Sequence, residues 1–174
     1  RQCGSDWGKR MSESGVTRVL FVCLGNICRS PTAHGVFEAM VRQRGLEHLI
    51  HIDSCGTGDW HIGHAPDQRA SAEAASRGYD LSQLRARQIQ VNDFDTFDYV
   101  LAMDKQNLAD LRSMCPADFR GHLGLFLPFD PEVSMEEVPD PYYGGDEGFT
   151  RVLDMVEAAS EGLLREIRSA DSAR

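Results

Sequence analysis

The segment from Cys23 to Arg29 places a nucleophile and a cation at the two ends of one short loop, LGNIC. A loop this short can curl so that its backbone N–H groups point to one centre, and such a nest at a helix N-terminus binds a tetrahedral oxyanion. Gly25 adopts a positive φ angle without steric cost, and Asn26 tolerates it better than most residues. The segment is therefore a predicted phosphate-binding loop. Its members are Leu24, Gly25, Asn26, Ile27, Cys28, Arg29 and Ser30.

The residues around this loop predict nucleophilic catalysis by Cys23. The helix dipole, the loop amides and Arg29 all favour the charged form of the thiol, and the planar guanidinium can grip two phosphate oxygens. Ser30 can donate a hydrogen bond that stabilises the thiolate again as a leaving group. This chemistry needs no metal or cofactor. Zinc binding by Cys23 and Cys28 is disfavoured because no second closely spaced Cys/His pair follows.

The loop lies between a predicted strand and a predicted helix. TRVLFVCL, residues 17–24, is continuously apolar and β-branched, as strands buried on both faces of a parallel sheet are. Ser30 is the predicted helix N-cap, Pro31 suits the first helical position, and the helix should end near Gly45.

The rest of the chain continues this alternation. LIHIDSCGTG, FDYVLAMD and HLGLFLPF are predicted strands. Helices are predicted in APDQRASAEAASRG, in DKQNLADLRSM with Asp104 as its N-cap, and in a final amphipathic segment whose apolar residues are Phe149, Val152, Leu153, Val156, Leu163 and Leu164. The predicted fold is a single-domain α/β structure: a doubly wound four-stranded parallel sheet with helices on both faces. Ligands of such sheets bind beyond the carboxyl ends of the strands, where Cys23 to Arg29 lies.

Composition limits the classes of function. A chain of 174 residues suits one domain, predicted over residues 17–170, with residues 1–16 as a leader or disordered extension. A formal net charge of −9 disfavours nucleic acid and anionic membranes as partners, and no apolar run could cross a bilayer. Five cysteines, an odd number with no secretory signal before them, indicate free thiols in the cytoplasm.

VCLGNICRSP, followed far downstream by DPYY, resembles the low-molecular-weight protein tyrosine phosphatases over roughly residues 17–168. The resemblance implies cofactor-free hydrolysis of protein phosphotyrosine through a phosphocysteine intermediate, with inorganic phosphate as product and inhibitor. It implies that Cys23 is the nucleophile, that Arg29 holds the phosphate, that Asn26 and Ser30 organise the loop, and that Asp140 is the general acid.

The need for an acid also follows from chemistry. A tyrosine phenolate, whose conjugate acid has a pKa of about 10, leaves slowly without a proton donor. Asp140 stands between two prolines in PDPYY, and Asp130, likewise followed by proline, is the rival acid.

Aromatic residues near both ends of the site form the predicted pocket rim. The resemblance implies that Trp60 stacks on the substrate ring, and that Tyr142 and Tyr143 form the opposite wall and are themselves targets of a tyrosine kinase. His61 and His64 are expected to be solvated loop residues.

Several alternatives remain open. Cys28 is either a packing residue or, as the resemblance suggests, a redox partner of Cys23. Phosphoarginine hydrolysis is an alternative activity, although relatives with it tend to carry threonine where Ile27 stands. An arsenate reductase-like enzyme would need a cysteine relay, which Cys55 and Cys115 do not resemble. A non-catalytic phosphate-binding module is the third alternative.

Overall fold

A single parallel sheet organises the chain. The computed structural model describes residues 15–142 and 144–172. The strands are β1 (Thr17–Cys23), β2 (Ile50–Gly56), β3 (Tyr99–Ala102) and β4 (His122–Leu125), all parallel and in the order β2-β1-β3-β4. The chain winds first to one side of β1 and then to the other, which confirms the predicted doubly wound sheet. The strand order reverses at β1, so the ligand-binding crevice lies at its carboxyl end.

Within residues 15–142 and 144–172, five helices and a 3-10 turn connect and cover the strands. The helices are α1 (Arg29–Gln43), α2 (Gln68–Ser76), α3 (Asp93–Thr96), α4 (Lys105–Met114) and α5 (Asp146–Ser172), and the 3-10 turn is Leu127–Phe129. One turn of helix is too short to show a helical period, so α3 was not predicted. The strand predicted over HLGLFLPF ends at Leu125, and the chain then turns at Pro128.

The helix termini show which capping predictions hold. The side chains of Asp67 and Asp104 cap α2 and α4 by accepting hydrogen bonds from backbone amides. The prediction that Ser30 caps α1 is wrong. The helix begins at Arg29, and its N-cap Cys28 makes no side-chain cap with any part of the described chain. A helix start without a protein cap leaves amides available to an anion.

Hydrophobic packing on both faces fixes β1 in the centre of the sheet. Phe21 faces α1 and α5 and meets Phe37 and Phe126 edge to face, at centroid distances of 5.8 and 5.0 Å. Leu20 and Val22 point to the other face, where residues of α3 and α4 cover them. Because β1 is buried on both sides, Cys23 at its end has a rigid support.

Over the described residues, no helix combines the length and apolar character that crossing a bilayer would require.

Candidate active site

The loop from Cys23 to Ser30 is curled around the thiol. Cys23 is 3% exposed, and Asn26 has the positive φ, 56°, that the sequence predicts. The Asn26 N–H donates to Cys23 Sγ at 3.2 Å. Ser30 Oγ lies 3.0 Å from the same sulfur and accepts from Asn26 Nδ2 at 2.8 Å. The sulfur therefore lies within hydrogen-bond distance of one amide and one hydroxyl, and that hydroxyl also lies 3.3 Å from the Cys55 carbonyl oxygen.

Backbone contacts from the end of β2 hold the loop in this shape. Gly56 lies so close that a Cβ there would be 2.6 Å from the Leu24 carbonyl oxygen, so no larger residue fits. Just beyond it, the amides of Thr57 and Gly58 donate to the carbonyls of Cys23 and Leu24, both at 2.9 Å.

The Asn26 side chain is fixed from its other end. Its Oδ1 accepts from the Arg87 amide at 3.0 Å. The Arg87 guanidinium is in turn paired with both carboxylate oxygens of Asp93, at 3.0 Å each, and with Asp53 at 3.1 Å. Nothing in the sequence pattern singled out Arg87, because this contact is made by its backbone.

Arg29 is buried at the first turn of α1 and is oriented by two acceptors. Its Nη1 donates to Asp104 Oδ2 at 2.7 Å and to the Val138 carbonyl at 3.0 Å. Burial alone would lower the pKa of Arg29, but the charge of Cys23 and the hydrogen bond to Asp104 raise it above its usual value. The side chain is thus a fixed cation beside the thiol. The sequence identified Asp104 only as a helix cap.

Asp140 lies beside Arg29 and lines the same cavity. Its Oδ1 accepts from the Tyr142 amide at 3.0 Å, and its Oδ2 is 3.8 Å from Arg29 Nη2. The rival Asp130 lies elsewhere, at the end of the 3-10 turn, where its carboxylate accepts from the Glu132 amide. The structure therefore brings Asp140, and not Asp130, to the loop.

A cavity of about 380 Å³ opens between these groups. Its lining comprises Cys23, Leu24, Gly25, Ile27, Cys28, Arg29, Trp60, His61, Asp140 and Tyr142. Asn26 and Ser30 are buried behind it, so they shape the loop without facing the cavity.

The rim of this cavity is partly as predicted. Trp60 is 66% exposed and Tyr142 is 38% exposed, and both line the cavity. Tyr143 lies outside the described residues. His61, expected to be a solvated loop residue, lines the cavity and packs over Gly25, where a Cβ would be 2.9 Å from its ring. His61 is half-buried, and sequence spacing alone did not predict its contact with the loop.

Cys28 packs between the loop and two helices. It is 5% exposed and forms a small apolar cluster with Ala70 of α2 and Phe149 of α5. Burial, reinforced by the charges of Asp67 and Cys23, raises the pKa of Cys28 to about 12. The packing interpretation of Cys28 therefore holds, and its redox role stays a prediction.

A larger cavity, about 830 Å³, lies along β4 between α4 and α5 and contains none of the predicted site residues. We assign the active site to the smaller cavity because the nucleophile, cation and carboxylate meet there. Within the described ranges, no group of three His, Cys, Asp or Glu side chains is arranged to hold a metal ion.

An α/β sheet with a Cys-x5-Arg-Ser loop after its first strand, facing an aspartate, defines the class of cysteine-dependent phosphatases. The family model described as low molecular weight phosphotyrosine protein phosphatase matches residues 18–173. The chain belongs to this family, and it is a protein tyrosine phosphatase.

Individual relatives agree with this assignment. A low molecular weight protein-tyrosine-phosphatase of Streptomyces coelicolor is 48% identical over 154 residues, 87% of this chain and 93% of the relative. The crystal structure of a protein tyrosine phosphatase from Entamoeba histolytica superposes with a TM-score of 0.85 at 38% identity, covering 89% of this chain and 99% of that one. A Drosophila arginine phosphatase superposes with a TM-score of 0.81 at 30% identity, covering 86% and 96%.

Proposed function

We propose that this phosphatase hydrolyses protein phosphotyrosine in two steps through Cys23. In the first, the thiolate attacks phosphorus, the Sγ–P bond forms, and the bond from phosphorus to the phenolic oxygen breaks as Asp140 gives that oxygen its proton. In the second, Asp140 takes a proton from water, which attacks phosphorus, and the Sγ–P bond breaks to release phosphate. The convergence of Cys23, Arg29 and Asp140 on one cavity carries this proposal.

The surrounding groups stabilise charge in both steps. The loop amides and Arg29 are aimed at the position of the phosphoryl oxygens, where negative charge is spread in the transition state. The hydrogen bond between Ser30 and Cys23 stabilises the thiolate when it leaves. Every one of these groups is held by the protein before substrate binds, so little reorganisation is needed during reaction.

The rim supports an aromatic substrate. Trp60 and Tyr142 both line the cavity and are both exposed, so in this proposal a phenyl ring attached to the bound phosphate packs against them. We extend this wall to Tyr143 on the basis of the DPYY motif alone.

Phosphoarginine is the second candidate substrate, and the likeness to the Drosophila arginine phosphatase favours testing it. Ile27 lines the cavity, where an apolar side chain suits a phenyl ring better than a guanidinium. This favours phosphotyrosine.

Hydrolysis of phosphotyrosine, phosphoserine and phosphoarginine, measured in EDTA and reductant, tests the proposal. We expect turnover of phosphotyrosine that survives EDTA and is lost in Cys23→Ser. Cys115→Ser, which alters a thiol at the end of α4, is the matched control and should keep full turnover. A preference for phosphoarginine would show that phosphotyrosine is not the substrate. Turnover that needs added metal would contradict the proposed mechanism.

Binding separates an enzyme from a phosphate-binding module. Cys23→Ser should bind a phosphotyrosine peptide and leave it intact, and inorganic phosphate should compete with that peptide. If wild-type protein also leaves every phosphorylated substrate intact, the module or an arsenate-reducing activity becomes the better explanation.

The biological setting we propose is the cytoplasm, with phosphotyrosine-bearing proteins as substrates and a tyrosine kinase that acts on Tyr142 and Tyr143. The exposure of Tyr142 supports the kinase only in allowing access to the ring. We further propose that residues 17–170 form the catalytic domain and that residues 1–16 are dispensable for turnover.

A further inference from the structure

The carboxylate that acts on the leaving group lies on a loop, and this loop is tied to the rest of the molecule at two points. The acid loop, residues 138–142 and 144, is held before Asp140 by Val138, whose amide donates to the Met103 carbonyl at 2.8 Å and whose carbonyl accepts from Arg29. After Asp140, the described contacts converge on one side chain, Arg69.

Arg69 binds the acid loop in two ways. Its Nη2 donates to the Tyr142 carbonyl at 2.9 Å and its Nη1 to the Gly144 carbonyl at 3.4 Å. Its guanidinium carbon lies 5.5 Å from the centroid of the Tyr142 ring and 4.7 Å from that of the Phe149 ring. A planar cation can donate in its plane and stack on its faces at once, which an ammonium cannot do.

The Arg69 side chain is itself fixed. Asp67 accepts from its Nε at 3.3 Å and from its Nη2 at 3.2 Å, and the same carboxylate caps α2. The Asp67 amide donates to the Ile27 carbonyl at 2.7 Å, so the start of α2 is joined to the phosphate-binding loop. Arg69 therefore connects a rigid part of the active site to the acid loop.

The connection reaches Asp140 through one residue. Arg69 holds the Tyr142 carbonyl, and the Tyr142 amide donates to Asp140 Oδ1 at 3.0 Å. Fixing Tyr142 leaves Oδ2, on the Arg29 side, as the oxygen free to carry the transferred proton. The Asp67 carboxylate keeps its charge, and its pairing with Arg69, to a lower pH than an ordinary aspartate does. Burial would raise the pKa of Asp67, but hydrogen bonds from Arg69 lower it below its usual value.

We propose that Arg69 is a positioning residue for the general acid: it holds Asp140 at the distance and orientation needed to protonate the leaving oxygen. The inference rests on the proposed function. Arg69 does not line the cavity that contains Cys23, Arg29 and Asp140, so its contribution should appear only where proton donation limits the rate.

Two aryl phosphates separate proton donation from phosphate binding. Phenyl phosphate has a poor leaving group that needs the acid, whereas 4-nitrophenyl phosphate has a good one that needs it little. We expect Arg69→Ala to lower kcat/KM about tenfold on phenyl phosphate, part of the roughly 10²–10⁴ that a general acid contributes, with less than about a threefold change on 4-nitrophenyl phosphate. The loss on phenyl phosphate should be intermediate in Arg69→Lys, because lysine keeps the positive charge but lacks the planar set of donors of the guanidinium.

Two controls test how Arg69 acts. In an Asp140→Asn background, Arg69→Ala should cause no further selective loss on phenyl phosphate, since the group it positions is gone. Arg77→Ala is matched to it, because Arg77 ends the same helix and pairs with Asp154 and Glu157 without touching the acid loop. It should leave the ratio of the two substrates unchanged.

The outcomes are distinct. Equal losses on both substrates in Arg69→Ala would mean that Arg69 supports the fold or phosphate binding, and would overturn the positioning role. Unchanged rates on both would overturn it as well. If wild-type protein hydrolyses neither aryl phosphate, the proposed function fails first, and the inference about Arg69 falls with it.

Discussion

The Asp104 carboxylate performs two functions with its two oxygens. Oδ1 accepts from the Asn107 amide at 2.7 Å and caps α4, and Oδ2 accepts from Arg29 at 2.7 Å. Asn caps helices about as well as Asp, so Asp104→Asn should retain the cap and remove the charge that orients Arg29. We expect kcat/KM on phosphotyrosine to fall about ten- to a hundredfold, as for other small misplacements of a substrate-binding group.

Kinetics and thermal unfolding of the same preparations test this prediction. Asp80→Asn is the control, because Asp80 is an exposed carboxylate that accepts only from the nearby Ser82 in the described contacts. Unchanged kcat/KM in Asp104→Asn would show that Arg29 needs no such partner.

The reactivity of Cys28 should depend steeply on pH. Peroxide converts the Cys23 thiolate to a sulfenic acid, and Cys28 can close a disulfide only as a thiolate, which expels hydroxide. Burial raises the pKa of Cys28 to about 12, so its thiolate fraction is small at neutral pH and grows about tenfold per pH unit below that value. Disulfide closure should therefore be slow near pH 7 and faster at pH 9.

Dimedone, which traps sulfenic acids, measures this competition. Mass spectrometry after peroxide treatment should show less dimedone on Cys23 as pH rises from 7 to 9. In Cys28→Ser, the amount of dimedone-labelled Cys23 should no longer fall as pH rises. A wild-type yield that does not change with pH would argue against Cys28 as the resolving thiol.

At the scale of elements, the sequence predicted the features that depend on a local pattern of residues. The apolar run of β1, the Asp104 cap and the positive φ of Asn26 were all available from residue type and spacing, whereas the cap by Asp67 was not predicted. The four strands and their arrangement in a doubly wound parallel sheet were also predicted. Confirmation extends to the buried face of α5, including Phe149, Val156 and Leu163.

What the sequence could not predict depends on contacts between distant segments. Arg87 holds Asn26 through its backbone amide, and Arg69 holds Tyr142 across 73 positions of chain. The wrong N-cap at Ser30 has the same origin. Its hydroxyl is engaged by Cys23 and Asn26, so the loop determines its partners and the helix does not.

Because α5 packs closely on the 3-10 turn, we predict that Gly162 cannot be replaced by a larger residue without loss of stability. A Cβ at Gly162 would lie 1.7 Å from the Phe129 carbonyl oxygen, which is backbone and cannot move easily. Glycine within a helix normally costs about 1 kcal/mol relative to alanine, so Gly162→Ala would be stabilising if propensity decided. We expect it to destabilise by about 1–3 kcal/mol instead.

Urea unfolding of matched variants measures whether Gly162→Ala raises or lowers the free energy of unfolding. Ala158 is exposed on the same helix, and Ala158→Gly should destabilise by about 1 kcal/mol through propensity alone. The packing argument predicts that Gly162→Ala and Ala158→Gly both destabilise the protein, although one replaces glycine by alanine and the other replaces alanine by glycine. A more stable Gly162→Ala protein would show that the two elements can separate at no cost.

At the scale of the whole molecule, charge should influence which phosphoproteins are preferred. The chain carries a formal net charge of −9, and the Arg29 cation is buried and paired with Asp104. Asp140 lines the cavity, and exposed Asp59 precedes the cavity-lining Trp60 in the chain, so both carboxylates add negative charge to this side of the molecule. The field outside the site therefore repels acidic substrate segments, even though the loop itself binds a phosphate.

Two phosphotyrosine peptides that differ only in flanking lysines or aspartates test this field. At low ionic strength we expect the lysine peptide to have the higher kcat/KM, by about tenfold, because electrostatic steering changes association rates by that order or more. The ratio should approach one in high salt, where charges more than a few ångströms apart are screened. Asp59→Asn should reduce the ratio at low salt, whereas Asp80→Asn should change it less, since Asp59 adjoins the cavity-lining Trp60 and Asp80 adjoins no residue that lines the cavity. A preference for the aspartate peptide, or a ratio indifferent to salt, would mean that contacts at the rim, and not the field of the molecule, select the substrate.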